Sequence, residues 1–389
     1  MKKLGIYVQV PFCQTKCTYC NFHTGVVAKE RFAPYVDAVC REIRKHRELL
    51  AAAGVDWPDA MNKGVANTVY FGGGTPSLLK ARQLQGILES IRETFRTEFE
   101  EVTLEADPET VEESKAKTWV GAGINRVSFG VQSFSDKELA AAGRMHRRAD
   151  IYSAVPILRA AGILDVSFDL IAGLPHQTDG SWKQSLEELI AIGPEHVSVY
   201  LLEVDEGSRL GKELLAKGMR YSAPAVPSED EMAEFYELAQ EALGSAGYRH
   251  YEISNWAKPG FESKHNLKYW RREPYLGFGA GAHSFSGRQR WANAHDAAVY
   301  VNAIENGRLP AEQFETVSTE QALEEELFLG LRQLDGIDLG RIEREYGVAL
   351  LKRFELLAGA GLVKKEGNVV RLAEEKLSVS NEVFVELMK

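Results

Sequence analysis

The chain has 389 residues, 44% of them hydrophobic and 26% charged, the balance of a globular protein with a large core and two or three units. A formal net charge of -10 works against a polyanion, so no nucleic-acid partner is expected. No apolar run reaches the length of a membrane span and no cleavable leader precedes the first strand pattern, so a reducing, cytoplasmic setting is expected, with at most peripheral contact to a membrane.

Short β-like runs alternate with helix-length amphipathic segments through the first half, the pattern of an α/β fold with a parallel sheet. Strands are expected at 4–10, 66–71, 101–105, 126–130, 165–170 and 196–201, and helices at 31–53, 78–95, 109–122, 149–161 and 181–192. This makes six βα units. Polar or glycine-rich residues recur where the strands end. A cysteine loop follows the first strand and Gly72-Gly73-Gly74-Thr75-Pro76 the second. Glu105 ends the third, Gln132 and then Arg144 follow the fourth, and Asp169 lies in the fifth. In parallel α/β barrels the active groups gather at that carboxyl end. The glycine run lacks the Gly-Lys-Ser/Thr ending of a phosphate loop, so it is not read as a nucleoside triphosphate site.

Three of the four cysteines, Cys13, Cys17 and Cys20, are spaced C-x3-C-x2-C. Thiolates on a short loop can each take one iron of a 4Fe-4S cluster, and three of them leave one iron open to a further ligand. Two other readings stand beside this one. His23 could complete a Cys3His zinc site, and the trio could be a disulfide remnant, although an odd cluster in a long chain without a leader argues for a metal. Cys40 continues the i, i+3, i+4 apolar pattern of Phe32, Val36, Val39 and Ile43 and reads as helix core.

The stretches Tyr7 to Cys20, Gly72 to Pro76 and Gly130 to Phe134, with Glu105, Arg144 and Asp169 to Pro175, resemble a known family in their order and spacing. It is the radical S-adenosylmethionine (SAM) superfamily, and within it the oxygen-independent coproporphyrinogen III oxidase-like group. The resemblance implies an open, partial (β/α)6 barrel of the TIM type. It implies a 4Fe-4S cluster on Cys13, Cys17 and Cys20, with SAM on the open iron. In such proteins the reduced cluster cleaves SAM to methionine and a 5'-deoxyadenosyl radical. By the same resemblance Tyr7 packs near the cluster and SAM, and Tyr19 lies beside the adenine. Gly73, Gly74 and Thr75 hold the methionyl amino end. Glu105, Gln132, Arg144 and Asp169 bind the remaining polar atoms, the Arg suiting a carboxylate and the Asp a ribose diol. Gln9 departs from the pattern, standing where many relatives have a histidine. Strand alternation puts it on the face of Tyr7, so a local hydrogen bond is expected to differ.

Within that group the sequence looks like the heme-chaperone branch. Phe22 stands where the oxidases have a further cysteine, only twelve residues precede Cys13, and His265-Asn266-Leu267-Lys268-Tyr269-Trp270 matches the H-N-x-x-Y-W signature of the chaperones. The resemblance implies heme as ligand, His265 as a heme-binding residue and heme-accepting respiratory proteins as partners. An imidazole is a common axial ligand, and Tyr269 and Trp270 could pack on a porphyrin. Their plainer reading is a loop histidine and two core aromatics. His250 and His283 are second-choice iron ligands. The alternative function is an oxygen-independent coproporphyrinogen III oxidase or a related radical SAM enzyme of porphyrin metabolism; a zinc-bearing regulator is the third.

Three units are expected: a core barrel at 1–220, a barrel extension at 221–318 and a C-terminal domain at 319–389. In the second, 248–254 reads as a strand and 275–283 as a loop bordering a cavity. In the third, helices at 321–334, 339–346 and 350–359 precede a hairpin of 361–365 with 368–372, which makes a small winged-helix-like α+β domain. Such modules often bind DNA through the second helix, here carrying Lys352 and Arg353. Glu355, Glu374 and Glu375 weaken any phosphate attraction, so a cap on the open barrel is expected instead. Both a monomer and a homodimer are compatible with the sequence.

Overall fold

The computed structural model describes residues 3–55 and 64–388. Its first six strands are β1 (Lys3–Val10), β2 (Val65–Gly73), β3 (Arg96–Ala106), β4 (Arg126–Gln132), β5 (Asp165–Ala172) and β6 (His196–Leu201). They pair in parallel in chain order. Each divides its residues between two environments, because successive strand side chains point to opposite faces. One series, such as Ile6, Val69, Leu104, Phe129, Phe168 and Val197, is apolar and buried. It shares a core with the helices Phe32–Ala52, Ala81–Thr94, Glu113–Ala122, Arg148–Ala161 and Asp179–Ile192. The other series is polar, including Tyr70, Glu105, Arg126, Ser128, Asp169 and Ser198. Parallel strands covered on both faces by apolar layers read as near-continuous hydrophobic runs. Polar alternation here reflects a second face that encloses a polar space.

The sheet continues beyond both ends of this set. On one side β9 (Tyr275–Phe278) runs parallel to β1, followed by the antiparallel β10 (His283–Phe285), β11 (Gln289–Asn293) and β12 (Ala311–Thr316). On the other, β8 (Asn255–Ala257) and β7 (Arg249–Glu252) add antiparallel to β6. β7 and β12 are the two ends of the hydrogen-bonded order, so the barrel stays open. The stretch 275–283 corrects the sequence reading. Much of it is strand, with Leu276 and Phe278 buried beside β1, and glycines hid the alternation.

The C-terminal residues form the helices Thr319–Arg332, Leu339–Tyr346 and Leu351–Gly359. A three-stranded sheet of β13 (Ile337–Asp338), β15 (Val369–Leu372) and β14 (Val363–Glu366) joins them, and the helix Ser380–Met388 follows. The first helix starts at a capping box between Ser318 and Gln321, which satisfies two of its orphan amides. Its last residue, Arg332, pairs at 2.7 Å with the fully buried Glu252 of β7 and so ties this module to the sheet. Arg353 turns inward to the carbonyl of Leu387. Among the described residues no helix is long and apolar enough to cross a membrane.

Candidate functional site

The polar faces of the strands surround a cavity of about 640 Å³, lined at its mouth by Cys13, Cys17 and Cys20. The loop that carries them is fixed by three backbone hydrogen bonds and one between side chains. Cys13 N–H donates to Gly25 O at 3.0 Å, and Thr18 N–H to Ala142 O at 2.9 Å. Leu210 N–H donates to Thr18 O at 2.8 Å, and Asn21 to the Asp205 carboxylate at 3.1 Å. The three thiols are free, and burial raises the pKa of Cys13 and Cys20.

The glycine run after β2 lets backbone approach this loop. A Cβ on Gly74 would sit 2.5 Å from Phe12 O and 3.0 Å from Cys13 Sγ. Gly73 adopts φ +113°, and a Cβ there would meet the Gln9 side chain at 2.5 Å. Only glycine adopts that backbone without strain. Gly74 N–H donates to Val10 O at 2.9 Å and Thr75 N–H to Phe12 O at 2.7 Å, so the second strand's exit is bonded directly to the first's.

Glu105 lies deeper. It accepts from the Tyr70 hydroxyl at 2.9 Å and from Gly73 N–H at 3.0 Å, and burial chiefly pushes its pKa up to about 7. Asp169 accepts from Ser128 at 3.4 Å and is pushed up to about 6, again mainly by burial. Arg144 donates to Gly130 O at 2.7 Å, to Cys17 Sγ at 3.6 Å and to the Asp107 carboxylate. Its Nε is buried without a partner. Asp107 also accepts from Thr75 Oγ1 at 3.0 Å. Gln132 ends β4 in a left-handed conformation, φ 65°, and Tyr19 lines the same wall beside Cys17.

One cavity thus gathers the three cysteines with Tyr19, Gly73, Gly74, Thr75, Glu105, Gln132, Arg144 and Asp169. Tyr7 stands just behind it, its ring stacked on Tyr70 at 6.1 Å and its hydroxyl donating to Gln9 Oε1 at 2.6 Å. His265 is set apart. It is 1% exposed, its Nδ1 lies 2.9 Å from the Thr68 hydroxyl and its Nε2 2.8 Å from that of Tyr269. Burial lowers its pKa to about 3. Its helix, Lys264–Trp270, is anchored through the Lys264 and His265 amides to the Glu101 carboxylate, at 2.8 and 3.0 Å. His250 is likewise interior, stacked on Trp256 at 4.0 Å with Nε2 3.0 Å from Ile253 O.

Asp107 and Tyr70 were not among the expected site residues. The strand period carried the signal, since Asp107 lies two residues beyond Glu105 and Tyr70 two before Gly72. Chemically, the mouth offers three thiols that can hold a metal cluster and an arginine with an unused nitrogen. The interior offers carboxylates that can accept from an ammonium or a diol.

Residues 7–189 match the Radical SAM superfamily and residues 317–375 the HemN C-terminal domain. The chain is 34% identical over 384 residues to the heme chaperone HemW of Bacillus subtilis, covering 97% of each chain. It is 34% identical over 281 residues to that of Escherichia coli, covering 72% of this chain and 69% of the other. The solved structure of coproporphyrinogen III oxidase (HemN) from Escherichia coli, a radical SAM enzyme, is similar with a TM-score of 0.83. At 21% identity over 99% of this chain and 90% of that one, it is a likeness of fold. The chain belongs to the radical SAM superfamily and, within its HemN-like group, to the family of HemW.

Proposed function

We propose that this protein is a cytoplasmic heme chaperone, which binds heme and passes it to respiratory hemoproteins from a radical SAM scaffold. The observation that carries the reading is the end-to-end similarity to a protein named for that role, with 97% of both chains covered. Phe22 in place of the further cysteine favours it over coproporphyrinogen oxidation.

In this reading Cys13, Cys17 and Cys20 hold a 4Fe-4S cluster, and SAM occupies the cavity beneath. The cradle at Gly74, the unpaired Nε of Arg144 and the carboxylates of Glu105 and Asp169 support that assignment. Gly73, Thr75 and Glu105 receive the ammonium group, Arg144 the carboxylate, and Asp169 and Gln132 the ribose and its neighbours. Tyr19 flanks the adenine and Tyr7 supports the wall through Tyr70. The cluster, when bound, supplies one-electron chemistry at an iron that protein thiols leave open. The resemblance also offers His265 as a heme ligand. Its two occupied nitrogens mean that ligation there requires the bonds to Thr68 and Tyr269 to be exchanged.

The test is anaerobic reconstitution, titration with heme, and transfer to a heme-depleted respiratory protein. Stoichiometric heme binding followed by recovery of the acceptor's activity is expected. Formation of protoporphyrinogen from coproporphyrinogen III, without heme binding, would replace this reading with the oxidase.

A further inference from the structure

The exits of β2 and β3 repeat one short pattern, Thr75-Pro76 after the first and Asp107-Pro108 after the second. A residue before proline is kept out of the helical region. Thr75 accordingly stands at φ -130°, ψ 80° and Asp107 at φ -92°, ψ 137°. Each proline opens a short 3-10 turn that bonds back to the residue before it. Leu78 N–H donates to Thr75 O at 3.0 Å, and Thr110 N–H to Asp107 O at 2.9 Å. Because β2 and β3 are neighbours in the sheet, the two turns bring these side chains together, and Thr75 Oγ1 donates to Asp107 Oδ2 at 3.0 Å. The other oxygen, Asp107 Oδ1, accepts from Nη2 of Arg144, and Asp107 itself lines the cavity.

A hydroxyl carries one proton and two lone pairs, whereas a guanidinium carries only donors. With its proton given to Asp107, Thr75 Oγ1 can only accept from a group bound in the cavity. On the other side Nη2 of Arg144 is held by Asp107 and by Gly130 O at 2.7 Å, Nη1 lies 3.6 Å from Cys17 Sγ, and Nε is buried without a partner. One carboxylate thus orients a positive donor and fixes the polarity of an acceptor. An α-amino acid head group needs both, a donor for its carboxylate and an acceptor for its ammonium. Recognition of a carboxylate by arginine depends on the direction of the planar guanidinium, so the holding group matters as much as the charge.

Resting on the assignment of this cavity to SAM, we infer that Asp107 is a positioning residue for the methionyl end of that ligand: it aims Arg144 at the carboxylate and keeps Thr75 an acceptor for the ammonium. Its negative charge also screens Arg144. Removing that charge would by itself strengthen the pull of the guanidinium on a ligand carboxylate, whereas removing the hold on it weakens binding. The sign of the change in affinity therefore tells positioning from screening.

The experiment measures the affinities of SAM and of decarboxylated SAM, which lacks only the carboxylate, for the full-length chain after anaerobic reconstitution. Iron content and a thermal melt accompany each variant. In Asp107→Ala we expect SAM to bind at least about tenfold more weakly, and its preference over decarboxylated SAM to shrink by a similar factor. Asp107→Asn, whose amide oxygen still accepts from Arg144, is expected to recover most of that preference. Thr75→Val has nearly the same shape, leaves the pair of Asp107 and Arg144 intact and is expected to weaken both ligands alike. If Asp107→Ala binds SAM as tightly as wild type or more tightly, or loses both ligands by the same factor, the positioning role is overturned and the SAM site stands. Where Asp107→Ala fails to fold, Thr75→Val carries the test, and wild-type affinity for SAM in that variant overturns the inference. A wild-type chain that holds iron and binds no SAM overturns both this inference and the assignment beneath it.

Discussion

Glu105 on β3 and Asp169 on β5 face one space, and after burial itself the Asp169 carboxylate is among the influences that raise Glu105 to about 7. Two carboxyl groups so placed favour a cation between them. If that cation is the ammonium of SAM, the carboxylate must give up its proton on binding. Below about 7 this release opposes binding, and above it the opposition is gone. SAM affinity should therefore rise between pH 6 and pH 8, by up to about tenfold per pH unit on the acid side. Glu105→Gln should bind more weakly at pH 8, by about tenfold or more, and lose most of that slope. Calorimetric titration of the reconstituted protein at several pH values checks this. An unchanged slope in the variant would remove Glu105 from the ammonium site.

A second prediction concerns the contact between the glycine run and the cysteine loop. The extra methyl of Gly74→Ala must push against the Phe12 carbonyl, which is backbone and already accepts from Thr75 N–H. Overpacking of this kind costs about 1–3 kcal/mol. The strain falls next to Cys13, so iron and sulfide content after reconstitution should drop along with the melting temperature. A Gly86→Ala control, with open space around its Cβ position, should change neither for the worse. Retention of full iron content by Gly74→Ala would show that the loop adjusts freely and that the cradle is not needed.

The third separates the cysteines. Cys13→Ala, Cys17→Ala and Cys20→Ala should each lose cluster absorbance and most of the bound iron. Cys40→Ala should keep both, since Cys40 is buried among helix residues. Its loss removes a small buried group and is expected to cost about 1 kcal/mol of stability at most. Iron and sulfide assays on the four variants read this out. A zinc site would instead yield one zinc per chain and no iron, whatever the oxygen exposure.

Much of this was legible because it rests on short-range pattern. Alternation placed β1, β4, β5 and β6 within two residues at each end, and the C-x3-C-x2-C spacing picked out the loop that the structure puts over the cavity. β9 was missed since Gly277 and Gly279 interrupt the apolar period and its partner β1 lies more than 260 residues earlier. The approach of the His23 ring to that of His295 was illegible for the same reason. His23 and His295 share no periodicity, and only the pairing of β9, β10 and β11 onto β1 brings them to 3.9 Å. The burial of His265 was also hidden. Nothing in His-Asn-x-x-Tyr-Trp tells that Tyr269, one helical turn on, turns its hydroxyl back to Nε2.

That last contact sets up a prediction about stability. In the folded protein burial, and secondarily the Lys268 charge, lower the pKa of His265 to about 3, whereas an exposed histidine in the unfolded chain titrates near 6.5. Between those values the unfolded chain binds a proton that the folded one refuses, so this histidine's contribution is complete above about 6.5 and is lost progressively as the pH falls. His265→Ala leaves the Thr68 and Tyr269 hydroxyls facing an emptied interior position. Each buried group left unpaired costs about 1–3 kcal/mol, so the variant should be clearly less stable at pH 7.5. Because alanine has nothing to protonate, the gap between variant and wild type should narrow steadily from pH 6.5 to pH 4.5. Urea unfolding at several pH values measures the gap. A gap that stays constant over that range would mean that His265 is not the buried neutral imidazole described here.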